Sequence, residues 1–195
     1  MKVKICGITS SEDAAMCEDL GADALGFVHF PGRSRSLSIE SISEICPSLG
    51  PTVSKVLVCK PQDIDSALSM LADSKADTLQ LYSLEPKEIL ELRERGVRVM
   101  RVVKPSGNEA KAFAPVVDAL VFEDGSPGTG TVYDYSKIPV NLRSRAFIAG
   151  GLTPENVHIV KALKPYGVDV SSGVERQPGR KDRSEVRNFI WRCKT

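Results

Sequence analysis

The residues able to do chemistry stand at the ends of short apolar runs. Cys6 closes the stretch KVKIC and is followed by Gly7. A free thiol ionises near pH 8.5, and a neighbouring cation or helix N-terminus draws it toward neutrality, where the thiolate is a usable base. Glu123 and Asp124 follow the apolar run ALVF. A carboxyl group at one strand end opposite a cysteine at another is an acid and a base, the pair that proton transfer on a sugar requires. In a strand only one of two adjacent residues faces a given side, so only one of these acids can face such a partner. Arg33 and Arg35 share a polar loop, and the planar fork of arginine suits a carboxylate. Asp169 lies in GVDV, and Ser171, Ser172 and Gly173 follow it. Small hydroxyl residues and a glycine leave backbone N–H groups approachable, so such a turn can wrap an anion. Gly150 and Gly151 make a second such turn after another apolar run, with a helix start behind it. Together the two turns read as one phosphate grip built from two loops. Taken singly, each residue has a plainer account: a core cysteine, a solvated loop charge, an ordinary turn.

The elements that must position these residues alternate regularly. Apolar strands are expected at 2–6, 24–28, 54–59, 78–81, 98–103, 119–122, 145–149 and 168–170. Between them, Thr9 and Glu12 form a capping box for a helix that Gly21 closes. A second helix begins near Ser38 and turns Ile39, Ile42 and Cys46 inward. Ile64, Ala67, Leu68 and Leu71 mark a third. Pro86 opens a fourth, 107–113 is a weak fifth, and the sixth shrinks to a turn near 135–138. Thr153, Pro154 and Glu155 start a seventh, and Asp182 opens the last, with Val186, Phe189, Ile190 and Cys193 on one face. Eight strands apolar on both faces, at about 25 residues per unit, predict an α/β chain folded as a compact (β/α)8 barrel, a TIM barrel with helix six reduced. One domain is expected to span 1–195. An open doubly wound sheet would want GxGxxG after the first strand, and Cys6-Gly7-Ile8-Thr9 is not that. In such a barrel, active residues sit at the C-terminal ends of strands and phosphate is held after strands seven and eight. That rule selects Cys6, His29, Arg35, Tyr82, Glu123, Asp124 and Asp169. His29 stands alone without metal-ligand spacing and reads as structural.

Composition narrows the partners. The 195 residues carry a net charge of +1, too little to favour nucleic acid or an acidic membrane, so an anion must be held by local geometry. No apolar run approaches the roughly 18 residues of a membrane span, and the N-terminus lacks a secretory h-region, so a cytoplasmic protein is expected. The five cysteines are odd in number and widely spaced, which argues against a disulfide framework and a structural zinc site. Cys17, Cys46, Cys59 and Cys193 read as packing. The charged run 175–183 reads as mostly solvated loop.

In order along the whole chain, these stretches resemble the phosphoribosylanthranilate isomerase family, (β/α)8 enzymes of tryptophan biosynthesis. KICGIT at 4–9 is similar to the family's opening signature. GAD-x-x-GFV at 21–28, LQL at 79–81, GTG at 128–130 with YDY at 133–135, AGGLTPENV at 149–157, VDVSSGVE at 168–175 and PG-x-KD at 178–182 follow. The resemblance implies an Amadori rearrangement of N-(5-phosphoribosyl)anthranilate, with no cofactor or metal. The implied partner is a small-molecule phosphosugar, with neither nucleic acid nor membrane, in a monomer or homodimer. It implies Cys6 as base, a strand-six carboxyl as acid, Arg35 on the anthranilate carboxylate and Asp169 near the substrate amine. Gly150, Gly151, Ser171, Ser172 and Gly173 would hold the phosphate, with Gly128, Thr129 and Gly130 closing over the site. Three positions depart from the family. Tyr82 replaces a histidine beside the substrate, His29 replaces an aromatic, and Glu123-Asp124 stands where the family has one Asp and a neutral residue. Gapless spacing puts Glu123 in the acid's place, while side-chain identity favours Asp124; both remain candidates. Another phosphosugar isomerase or lyase on the same barrel, or a barrel that only binds a phosphorylated metabolite, are the competing expectations.

Overall fold

The computed structural model describes residues 1–105, 108–124 and 132–195. Eight strands form in chain order: β1 (Lys2–Cys6), β2 (Ala24–His29), β3 (Ser54–Cys59), β4 (Thr78–Leu81), β5 (Arg98–Val103), β6 (Ala119–Phe122), β7 (Ala146–Ala149) and β8 (Gly167–Val170). Each pairs in parallel with the next, and β8 pairs with β1, so the sheet closes into a (β/α)8 barrel. Helices α1 (Ser11–Asp19), α2 (Ile39–Ile45), α3 (Ile64–Ser74), α4 (Pro86–Glu94), α5 (Glu109–Phe113), α6 (Val157–Lys161) and α7 (Arg183–Lys194) lie between and after the strands. Among the described residues between β6 and β7 the helical content is two 3-10 segments, Tyr135–Lys137 and Val140–Arg145, in keeping with the reduced helix six that the sequence suggests.

Strand side chains alternate between two buried layers. Val56, Val58, Met100, Val102, Val121 and Ala149 pack inside the barrel. Their neighbours Leu57, Val99, Leu120 and Ile148 pack outward against the helices. This double burial is why the strands read as apolar runs without visible alternation.

Some boundaries differ from expectation. The cap of α1 is Ser10, whose hydroxyl accepts from the Asp13 N–H; Thr9 instead donates to the Gly179 carbonyl and ties β1's loop to the chain's end. Helix α6 begins at Val157, because Thr153 to Asn156 form a separate turn with Asn156 Oδ1 accepting from Thr153 N–H at 2.8 Å. The run 175–183 is solvated only in part: Arg176, Arg180 and Arg183 are exposed, but it is not a loop throughout. It forms a hairpin of β9 (Glu175–Gln177) and β10 (Arg180–Lys181) that packs Glu175 and Lys181 inward, their side chains 3% and 0% exposed.

Candidate active site

At the C-terminal ends of the strands lies a cavity of about 270 Å³. Its walls include Cys6, Arg35, Gln80, Tyr82, Glu123 and Asp169, with Gly150, Gly151, Ser171 and Ser172 on the β7 and β8 side. Strand alternation explains this selection. Residues two apart share a face, so Lys4 and Cys6, Gln80 and Tyr82, Val121 and Glu123, and Asp169 and Ser171 all point toward the barrel axis.

The same alternation separates Glu123 from Asp124. Val121 packs inside the barrel and Phe122 outside; the next inward position is Glu123. Asp124 is exposed and does not reach the cavity wall. Glu123 Oε2 accepts a 2.8 Å hydrogen bond from Tyr82 Oη, and Tyr82 meets Phe30 edge-on at 5.3 Å between centroids. Burial, then the Glu123 carboxylate, pushes the Tyr82 phenol far above its ordinary range, so it remains a donor.

Cys6 is partly exposed at the cavity floor. Its thiol is raised, not lowered as the sequence suggested. Burial pushes it up, Lys4 pulls it down, and Asp169 adds to the rise. Asp169 Oδ2 accepts from the fully buried Lys4 ammonium at 2.9 Å. Its Oδ1 is buried without a hydrogen-bond partner among the described residues, as is Gln80 Oε1. Both residues line the cavity, and a buried acceptor left without a partner costs about 1–3 kcal/mol.

Arg35 is held by its Nε–Nη2 edge in a fork on Glu175, at 2.9 Å to Oε1 and 2.7 Å to Oε2. A ligand carboxylate can therefore take only the guanidinium's other edge. Burial works against the Glu175 carboxylate, but Arg35 and Lys181 outweigh it and hold it below its ordinary range. Lys181 Nζ, in turn, donates to Glu175 Oε1 and the Cys6 carbonyl, both at 2.7 Å, and to Ser171 O at 3.3 Å. One buried lysine thus joins the hairpin to the ends of β1 and β8.

The turn after β7 is shaped by two side chains. Tyr135 Oη donates to Gly150 O at 2.6 Å and Asn156 Nδ2 to Gly151 O at 2.7 Å. In a trans peptide the N–H lies opposite the carbonyl, so the N–H groups of Gly151 and Leu152 turn away from these anchors, and both residues line the cavity. Gly150 and Gly151 take φ of 93° and 64°, a conformation that favours glycine. Gly173 does not reach the cavity; it backs onto the carbonyl of Leu152, where a side chain would collide. Gly128, Thr129 and Gly130 lie outside the described residues. His29 Nδ1 contacts Leu37 O at 2.9 Å and fastens its own loop, a structural role.

Lys4, Gln80, Glu175 and Lys181 were not singled out by sequence reasoning. A lysine and a glutamine in the middle of apolar strands were the visible signal for the first two. Nothing local announced the other two. Among the described residues no group of three His, Cys, Asp or Glu side chains converges as metal ligands do, and no helix is long and apolar enough to cross a membrane.

Residues 3–192 match the family model described as N-(5'phosphoribosyl)anthranilate (PRA) isomerase. An N-(5'-phosphoribosyl)anthranilate isomerase of Geobacter sp. (strain M21) is 39% identical, over 99% of this chain and 98% of its own. The crystal structure of phosphoribosyl anthranilate isomerase from Thermus thermophilus superposes with a TM-score of 0.88 at 34% identity, covering 98% of each chain. A further isomerase structure, in complex with reduced 1-(o-carboxyphenylamino)-1-deoxyribulose 5-phosphate, has a TM-score of 0.83 at 32% identity, covering 100% of this chain and 98% of its own.

Proposed function

The chain belongs to the N-(5'-phosphoribosyl)anthranilate isomerase family, and on that premise we propose the part that each residue of the cavity plays. The enzyme is an isomerase of tryptophan biosynthesis that converts N-(5'-phosphoribosyl)anthranilate into 1-(2-carboxyphenylamino)-1-deoxyribulose 5-phosphate. In our reading Glu123 is the general acid. It protonates the furanose ring oxygen, the C1′–O bond opens, and the electron pair of the anilino nitrogen forms the Schiff base. Cys6, as thiolate, then takes the C2′ proton; the C–H electrons form the C1′–C2′ double bond and neutralise the nitrogen. The resulting enaminol returns a proton to C1′ and becomes the ketone.

Asp169 Oδ1 accepts from the substrate's amine, and the free edge of Arg35 takes the anthranilate carboxylate. Tyr82 positions Glu123. The phosphate lies against the N–H groups of Gly151, Leu152 and the Ser171-Ser172 turn. Residues 1–195 form one barrel domain, acting in the cytoplasm on a small phosphosugar as a monomer or homodimer. The observation that supports these roles is the convergence of a thiol, a carboxyl, an arginine and two glycine turns on one cavity.

The test is direct. N-(5'-phosphoribosyl)anthranilate fluoresces, and adding the pure protein should abolish that fluorescence catalytically. Binding without turnover would reduce the protein to a phosphosugar-binding barrel.

A further inference from the structure

We propose that Lys4 is a positioning residue for the isomerisation, its ammonium clamped by Asp169 and holding the Cys6 sulfur in place as proton acceptor. The proposal rests on the reading of Cys6 as the base. Lys4 is completely buried, in the middle of β1, two residues before Cys6 and on the same face. A lysine in that position is costly unless its charge is matched. Its ammonium makes a 2.9 Å ion pair with Asp169 Oδ2, and its charge acts on the neighbouring Cys6 thiol in favour of the thiolate.

The neighbouring strand makes room for this contact. Cys6 pairs with Gly26 on β2. A Cβ at Gly26 would stand 2.8 Å from Cys6 Sγ and 2.9 Å from Lys4 Nζ. The missing side chain therefore leaves the space in which sulfur and ammonium meet. Were Lys4 present only to neutralise Asp169, it would have no need of the sulfur, and Asp169 would have no reason to keep Oδ1 unpartnered. Arranged as it is, Lys4 faces two groups that become or remain anionic, and leaves one acceptor of the carboxylate for the substrate.

Of the other charged or titratable groups around Cys6, Lys181 also lowers the thiol, though less than Lys4 does. Lys181 reaches the Cys6 backbone carbonyl from the hairpin and is matched by Glu175. Arg35 is matched by the same Glu175. Tyr82 from β4 donates to Glu123 from β6. Among the described groups, Lys4 is the cation that shares with the sulfur the space left by Gly26. Burial outweighs the cations and holds the thiol above its ordinary range, and Lys4 is the largest influence in the opposite direction, the one that limits the rise.

The experiment is the pH dependence of Cys6 alkylation by iodoacetamide, read by mass spectrometry of the Cys6 peptide, in the wild type and in Lys4→Met. Methionine fills the same volume without charge. The alkylation midpoint should rise by at least about one pH unit, the size of shift that loss of an adjacent opposite charge produces. At pH 7, kcat should fall at least about tenfold, with KM changed far less, and recover as pH rises. If Lys4→Met leaves Asp169 uncompensated and does not fold, the comparison moves to Lys4→Met/Asp169→Asn against Asp169→Asn alone, and the same upward shift is expected. An unmoved midpoint in a folded variant overturns the proposal whatever the activity does. Retained turnover in Cys6→Ser would overturn the base assignment instead, so the two failures are distinct.

Discussion

Replacing Glu123 by glutamine tests the assignment of the acid most sharply. Glutamine has the same length and shape, and its amide oxygen can still accept from Tyr82 Oη, which now sits 2.8 Å from Glu123 Oε2. The cavity wall therefore keeps its form while the transferable proton is lost. A positioned general acid contributes about 10²–10⁴-fold, or roughly 3–5 kcal/mol of barrier at 1.36 kcal/mol per decade. Glu123→Gln should accordingly lower kcat at least about a hundredfold. Asp124→Asn removes one charge from an exposed position whose side chain alternation turns away from the barrel axis, so kcat should stay within about twofold, as for surface substitutions remote from the chemistry. The assay is the decay of substrate fluorescence at saturating substrate, with circular dichroism verifying that both variants fold. A larger loss for Asp124→Asn would show that β6 turns its other face to the substrate. Small, equal losses in both would remove strand six from the chemistry and direct attention to Asp169.

Cys6→Ser should abolish turnover while product binding persists, because a hydroxyl is far too weak a base at neutral pH; a variant keeping a tenth of wild-type kcat would refute the assignment. Inorganic phosphate should inhibit competitively by occupying the turns at Gly151 and Ser172, and purely noncompetitive inhibition would place the phosphate elsewhere. Gly173→Ala should lower the melting temperature by at least about 3 °C, the effect of roughly 1 kcal/mol of overpacking in a chain this long. The added Cβ would fall 1.8 Å from the Leu152 carbonyl oxygen, and an unchanged melting curve would show that the two loops separate at no cost.

The strands were legible because each is a short apolar run bounded by glycine, proline or charge, and the barrel followed from counting them. The choice between Glu123 and Asp124 was also within reach. Ala119, Val121 and Glu123 share one parity, and the interior sits on that side. The pleat places Glu123 on the cavity side, whereas matching side-chain type to a family's Asp points to Asp124. The charge pairs were beyond such reasoning for a physical cause. Lys4 meets Asp169 across 165 residues, and Arg35 meets Glu175 across 140. No periodicity within a single segment encodes either pairing. The hairpin strands β9 and β10 span three and two residues, too short to show a pattern, so their charges looked solvated. Burial of a charge is a property of the pair and not of the residue. Isolated in its own segment, Glu175 reads as a surface acid; only when closure of the barrel brings Arg35 and Lys181 to it does an inward position become tolerable. The proposed chemistry rests on the same closure. The thiol at Cys6 ends the first strand, and Lys4 meets Asp169 through the pairing of the last strand with the first.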